Sequence, residues 1–197
     1  KKGEVFVLFH QGKKYYFLGL GDTKKLSEWI ALFKGFGLGQ KGKFSENIGL
    51  SVSHLSQTEG FLNLLDAFVN GLVVSTYQIG LYKTEEKKVF DFQRIELDIA
   101  QSEEIEKACQ RGLHTGKVQQ RVMDLINAPA NFMQPKDLAN WTRESGKEHG
   151  YSVKILDSQS LEDLGMKAIL AVNQGSKTSA YCIVAEYKPE NAPENLP

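Results

Sequence analysis

The residues of this chain that could do chemistry are four histidines, two cysteines and two tight groups of carboxylates, and their spacing limits what each can be. His10, His54, His114 and His149 are scattered, and none has the i, i+4 partner with an intervening Glu that a helical zinc site uses. Cys109 and Cys182 stand far apart in apolar surroundings, which suits buried free thiols in a reducing compartment better than a disulfide framework or a metal pair. Glu103, Glu104 and Glu106, and again Glu162 and Asp163, could hold a hard cation. Both groups open helical patterns, where the helix dipole favours negative charge, so the structural reading prevails. No Gly-x-Ser-x-Gly elbow is present to carry a nucleophilic serine.

Two glycine patterns could cradle phosphate. Gly37-Leu38-Gly39-Gln40-Lys41-Gly42 matches the dinucleotide pattern in letters, but it follows a helical segment where a strand is required. Gly19-Leu20-Gly21 follows a strand, yet Lys24 takes the place of the third glycine, which leaves a plain βα turn. Lys83, Lys87 and Lys88 make at most a small solvated basic edge. On physical grounds the residues present do not assemble a catalytic site.

The elements that would position these residues alternate in type. Glu4 to Phe9 and Tyr15 to Leu18 read as strands joined by a polar turn. The glycine turn at 19–23 leads into a helix through Trp29, Ile30 and Phe33, with Asp22 or Thr23 as its cap. After the glycine-punctuated stretch Gly35 to Gly42, Ile48 to Val52 reads as a strand. A helix then places Phe61, Leu64, Leu65, Phe68 and Leu72 on one face. Val89 to Phe92 and Ile95 to Ile99 are β-like, and the polar segment Gln101 to Lys107 opens a helix carrying Ile105 through Leu125.

Beyond Pro129 the pattern restarts. Pro135 sits in the first turn of a helix through Leu138 and Trp141, and Tyr151 to Leu156 is a strand. Ser160 with Asp163 resembles a capping box for a short helix ended by Gly165. Ala168 to Val172 and Ala180 to Ala185 read as two further strands of a sheet covered on both faces. The alternation gives an α/β class.

The chain of 197 residues is 41% hydrophobic and 24% charged, with 24 basic and 24 acidic side chains. These are the proportions of an ordinary folded protein, and the even charge balance speaks against nucleic acid as a partner. No apolar run approaches the length needed to span a bilayer and no secretory signal pattern opens the chain, so the expected location is the cytoplasm. The Asn140-Trp141-Thr142 sequon falls within a helical pattern and is read as chance. A start at Lys1 without methionine, and a close in a loop carrying Pro189, Pro193 and Pro197 beside an uncovered sheet edge, both suggest a trimmed sequence.

The run Val122 to Pro135 (VMDLINAPANFMQP) resembles the opening of the catalytic domain in the leucyl aminopeptidase (cytosol aminopeptidase) family, whose pattern there is Asp-Leu-x-Asn-x-Pro-x-Asn-x-x-x-Pro. A second match follows in order: Val153 to Asp157, then Leu161 to Met166 with its Gly-Met turn, then Leu170 to Ser176 with its Gly-Ser. The front half agrees more loosely, through the Gly19-Leu20-Gly21 turn and Gly71 to Thr84. The positions that match the family's motifs are Asn127, Pro129, Asn131, Gly165, Met166, Gln174, Gly175 and Ser176. The physical reading of them is structural. Asn127 and Asn131 can bond backbone around a proline-fixed turn, while Gly165 and Gly175 allow conformations closed to other residues.

The resemblance implies a macro-domain-like, three-layer N-terminal α/β domain over 1–115, with its linker helix. It implies the incomplete start of an α/β metallopeptidase catalytic domain over 116–197. It further implies a hexameric enzyme that uses two divalent ions, Mn or Zn, to release N-terminal residues such as leucine from peptides. The family's ligand motifs, Lys-Gly-x-x-Phe-Asp-Ser-Gly-Gly and Asn-Thr-Asp-Ala-Glu-Gly-Arg, do not occur in this sequence. No catalytic or metal residue is therefore assigned, and the chain alone is expected to be inactive. The alternative function is a non-catalytic module that binds a nucleotide such as ADP-ribose, or a protein partner.

Overall fold

In the computed structural model, the residues described are 1–22, 25–40, 43–44, 47–79, 92 and 94–189. They form two compact units, Lys1–Ile126 and Asn127–Pro197. The first holds β1 (Val5–His10), β2 (Lys13–Leu18), α1 (Leu26–Gly39), β3 (Asn47–Leu50), α2 (Phe61–Ser75) and β4 (Arg94–Leu97), and almost all of α3 (Glu103–Asn127). The second holds α4 (Pro135–His149), β5 (Ser152–Leu156), α5 (Ser158–Asp163), α6 (Lys167–Asn173) and β6 (Cys182–Glu186). The class is mixed α/β.

Three two-stranded ladders are formed among the described residues. β1 and β2 pair antiparallel, with Phe6 opposite Phe17 and Leu8 opposite Tyr15. β3 and β4 pair parallel, with Ile48 opposite Ile95 and Leu50 opposite Leu97. β5 and β6 pair antiparallel, with Ile155 opposite Ile183.

The core of the first unit is built around α2. Phe61, Leu64, Leu65, Phe68 and Leu72 are all buried as the spacing predicts, but so are Asp66, Ala67, Val69, Asn70 and Val74. A helix buried on nearly every side needs neighbours at close range, and glycines supply the room. A Cβ on Gly71 would lie 2.7 Å from the Phe33 Cβ and 2.8 Å from the Lys34 N–H nitrogen of α1. On the other flank, a Cβ on Gly112 of α3 would run into the Asp66 carbonyl, and one on Gly116 would come within 2.9 Å of Val73. Phe33 and Phe68 meet edge to face at 5.2 Å, while Leu18, Ile48 and Ile95 close the core from the strands and Leu20 from just past β2.

Several expectations are corrected. α1 begins at Leu26 after Lys25 with no side-chain cap, so Asp22 does not cap it; Thr23 lies outside the described residues, as do Gly80 to Asp91 and Lys41 to Gly42. Gly35, Gly37 and Gly39 belong to α1 itself, since Gly37 lets Ser75 of α2 sit directly against the helix backbone. Ala168 to Val172 is not a strand but the body of α6. An apolar run of five carries no period that separates strand from helix, and Met166 accepts the first helical bond, a long one from Leu170 N at 3.5 Å. The second unit thus has two strands and three helices among its described residues. Its ladder is antiparallel and Val184 to Glu186 are exposed, so the strand pair is not covered on both faces. Cys109 and Cys182 are free, but half-buried where the sequence suggested buried thiols.

Candidate functional site

The eight motif positions fall into two places. Asn127 ends α3, and the chain then turns on Pro129, whose carbonyl accepts hydrogen bonds from Phe132 N at 2.8 Å and Met133 N at 3.1 Å. Asn131 is exposed at the crest of this turn. The turn is thus closed by the proline carbonyl. It delivers the chain to Gln134, whose N–H donates to the Asp137 carboxylate at 2.9 Å, and Pro135 takes the first position of α4. Proline suits that position because its missing N–H is not needed there.

The other five positions lie in one closed segment from Ser158 to Ala180. Asp157 opens it by accepting from Ser160 N at 2.9 Å and Ser160 Oγ at 2.7 Å. Those bonds, the backbone one first, lower the carboxyl pKa. The cap is therefore Asp157, where the sequence suggested Ser160 with Asp163. A carboxylate just before the helix is the stronger acceptor for its free N–H groups.

α5 ends at Gly165 in the left-handed region, φ 68°. Met166 N donates to Leu161 O and Gly165 N to Glu162 O, both at 2.9 Å. This is the double hydrogen bond of a Schellman ending, and the accompanying apolar contact is Met166 on the buried Leu161. Gly165 and Met166 thus act as a pair that stops one helix and starts the next.

Gln174, Gly175 and Ser176 follow α6 in an exposed turn. Ser176 N donates to Asn173 O at 2.9 Å, Thr178 N to Ser176 Oγ at 3.1 Å, and Asn173 Nδ2 to Thr178 O at 3.1 Å. Ala180 N then returns to Ser158 Oγ at 3.1 Å. Gly175 has open space where a Cβ would stand and does not have positive φ. The expectation that it needs a glycine-only conformation is corrected.

One site outside the motifs was not singled out by sequence. Asp98, just past β4, accepts from Ser51 Oγ at 2.7 Å, Val52 N at 2.5 Å, Ser53 N at 3.1 Å and Ser53 Oγ at 3.2 Å. The Ser51 hydroxyl first, and then the Val52 N–H, hold its carboxyl at about 2 against an ordinary 3.8. It ties the carboxyl ends of β3 and β4 together. Beside them runs an open groove of about 540 Å³ lined by Ser56, Thr58, Asn63, Ser102 and Glu104 over Phe61 and Ile105.

The side chains present among the described residues do not fit a metal pair. Among the described residues no three His, Cys, Asp or Glu side chains come together as a metal site. Glu103 is bound to Lys107 at 2.5 Å in an ordinary i, i+4 pair.

Residues 120–196 match the model of the cytosol aminopeptidase family's catalytic domain. A probable cytosol aminopeptidase of Chloroherpeton thalassium is 32% identical over 202 residues, covering 90% of this chain and 39% of the relative. Another, of Chlorobium limicola, is 27% identical over 208 residues, covering 95% of this chain and 41% of the relative. A variant of tomato leucine aminopeptidase superposes with a TM-score of 0.81 at 24% identity, over 93% of this chain and 38% of that one. The bottromycin maturation enzyme BotP, in a structure with Mn, gives 0.77 at 19% identity, over 96% of this chain and 40% of that one.

The structural likenesses show a mixed α/β fold. The chain belongs to the leucyl aminopeptidase (cytosol aminopeptidase) family, and it spans about two fifths of the length of the relatives it matches.

Proposed function

We propose that residues 1–197 are the front part of a metal-dependent aminopeptidase that removes N-terminal residues, leucine among them, from peptides. In this reading residues 1–115 form a macro-domain-like N-terminal domain with its linker helix, and 116–197 open the catalytic domain. The observation that carries it is the match of residues 120–196 to the catalytic-domain model, with the Pro129 turn and the Gly165-Met166 helix stop both formed where the family motifs lie. The ions, Mn or Zn, would be held by motifs that this sequence does not contain, so no step of the hydrolysis is assigned to its residues. Residues 127–180 act as scaffold. Cytoplasmic residence and a homo-hexamer belong to the same proposal, and among the described residues no helix is long and apolar enough to cross a membrane.

The experiment is a comparison of two proteins. A polypeptide that extends residues 1–197 through the two ligand motifs should release leucine from leucyl peptides, lose that activity to a chelator and regain it with Mn or Zn. Residues 1–197 alone should release none. Activity of the extended protein that is indifferent to chelators would sink the reading.

The alternative of a nucleotide-binding module would look first to the groove beside Asp98, since ligands favour the carboxyl ends of parallel strands. Among the described residues that line it, the one charged group is Glu104, which repels phosphate, so the peptidase reading is preferred.

A further inference from the structure

The groove beside Asp98 holds two features of opposite sign, and the peptidase reading uses neither. One is the start of α2. Gly60 stands just before that helix with φ 79°, where a Ser or Asp would ordinarily cap it, and no side chain takes over that task. Phe61 N donates to Thr58 O at 3.1 Å and Leu64 N to Gly60 O at 2.9 Å. The N–H groups of Leu62 and Asn63, both exposed at the groove wall, take no partner among the described residues. Two donors and the positive end of the helix dipole are thus left open.

The other feature is Glu104, in the first turn of α3. The donors of that turn are served by Ser102, whose Oγ accepts from Ile105 N at 3.3 Å and whose carbonyl accepts from Glu106 N at 3.0 Å. The Glu104 carboxylate is left with one long bond, from the Ser102 hydroxyl at 3.4 Å. It has no ion pair among the described residues, in contrast to Glu103, which is held by Lys107. The rest of the lining includes apolar surface from buried Phe61 and half-buried Ile99 and Ile105.

A helix end alone attracts any anion. What selects a ligand here is the combination of open donors for a carboxylate, an unpaired carboxylate for an ammonium, and apolar surface for a side chain. A phosphate gains from the first and is repelled by the second, and a simple amine has the reverse difficulty. A zwitterion with an apolar side chain uses all three. The groove volume of about 540 Å³ falls within the roughly 300–1,000 Å³ of small-molecule sites.

We propose that this groove binds a small apolar zwitterion, a free amino acid or a dipeptide. Its ammonium meets Glu104, its carboxylate the Leu62 and Asn63 N–H groups, and its side chain Phe61 and Ile105. Every group involved lies in the first unit, so the site stands whether or not the whole polypeptide is a peptidase.

The test titrates ¹⁵N-labelled residues 1–197, without metal, with leucine and separately with leucyl-leucine, following the backbone amide resonances. The Leu62 and Asn63 amides should shift to saturation with at least one of the two, and the tighter binder fixes the length of the ligand. Leucinamide and 4-methylpentanoate, each lacking one of the two charges of leucine, should bind at least about tenfold more weakly. Glu104→Gln should weaken the zwitterion by a similar factor. Glu106→Gln, the same change in the same turn but outside the groove lining, should bind as the parent does. Saturation by neither zwitterion would overturn the proposal, as would a Glu104→Gln protein that binds like the parent or a singly charged analogue that binds as well. Displacement of the zwitterion by an equal concentration of inorganic phosphate would assign the α2 end to any anion and overturn it too. Leucine release by the extended polypeptide is scored separately and decides only the peptidase reading.

Discussion

Gly165 and Gly175 read alike in the sequence, each expected to take a conformation closed to other residues, yet the structure asks different things of them. Gly165 sits at φ 68° and carries both Schellman bonds, whereas Gly175 has open space around it and no positive φ. Gly165→Ala should therefore cost about 1 kcal/mol, the usual strain of an L-residue held left-handed. Gly175→Ala should change stability by a few tenths at most, in either direction. Chemical denaturation of the two variants side by side checks this, and equal losses would refute the distinction. Asp98 makes a second prediction at this scale. Its folded pKa, about 2, lies below the ordinary 3.8, so its carboxylate favours the folded state above pH 3.8 and that contribution fades as pH falls through about 2. The native protein should lose stability across that window more steeply than Asp98→Asn, read as urea midpoints at successive pH values. Parallel curves would show that the four hydrogen bonds do not hold the ionised form.

At the scale of elements, the burial of α2 on nearly every side depends on glycines in its neighbours. Gly112 and Gly116 stand one turn apart on α3 and let its backbone approach Asp66 and Val73. Gly112→Val puts carbon against a backbone carbonyl that cannot turn away, so it should destabilise the first unit by about 1–3 kcal/mol, the range for overpacked contacts. Lys117→Val, exposed on the same helix, is the control. A Gly112→Val protein that melts with the parent would mean that α3 is displaced without cost.

The same helices show what sequence could tell. The apolar face of α2, the pairing runs of β1 to β6 and the proline at the head of α4 were legible, because period, branching and the missing N–H act locally. Gly37 read as punctuation after the helix and not as part of it, because its reason lies on α2, in Ser75. Ala168 to Val172 read as strand because five apolar residues have no period, and only the Gly165-Met166 stop sets the next turn winding. The motif turn was visible in letters, but its closing bond comes from the Pro129 carbonyl, which no side-chain pattern records.

At the scale of the molecule the two units differ in how much core they own. The first buries Trp29, Phe33, Leu64, Leu65, Phe68 and Leu72 in adjoining clusters, whereas the buried apolar side chains of the second, among its described residues, are Ala139, Leu156, Leu161 and Ala180. Val172 and Val184 stand 89% and 47% exposed, and Tyr187 69%. A unit with so few buried side chains gains little against the conformational entropy of ordering its chain. Its helices and strand pair should therefore open locally well before the first unit unfolds. Hydrogen exchange on residues 1–197 should show the amides of β5 and β6 exchanging at least about tenfold faster than those of α2 at Leu65 to Leu72. In a polypeptide that completes the catalytic domain, the same β5 and β6 amides should slow towards the protection of α2, because added chain would bury Val184 and its neighbours. If β5 and β6 were already as protected as α2 in residues 1–197, the second unit would be stable on its own, and its scaffold role would not depend on the rest of a peptidase domain.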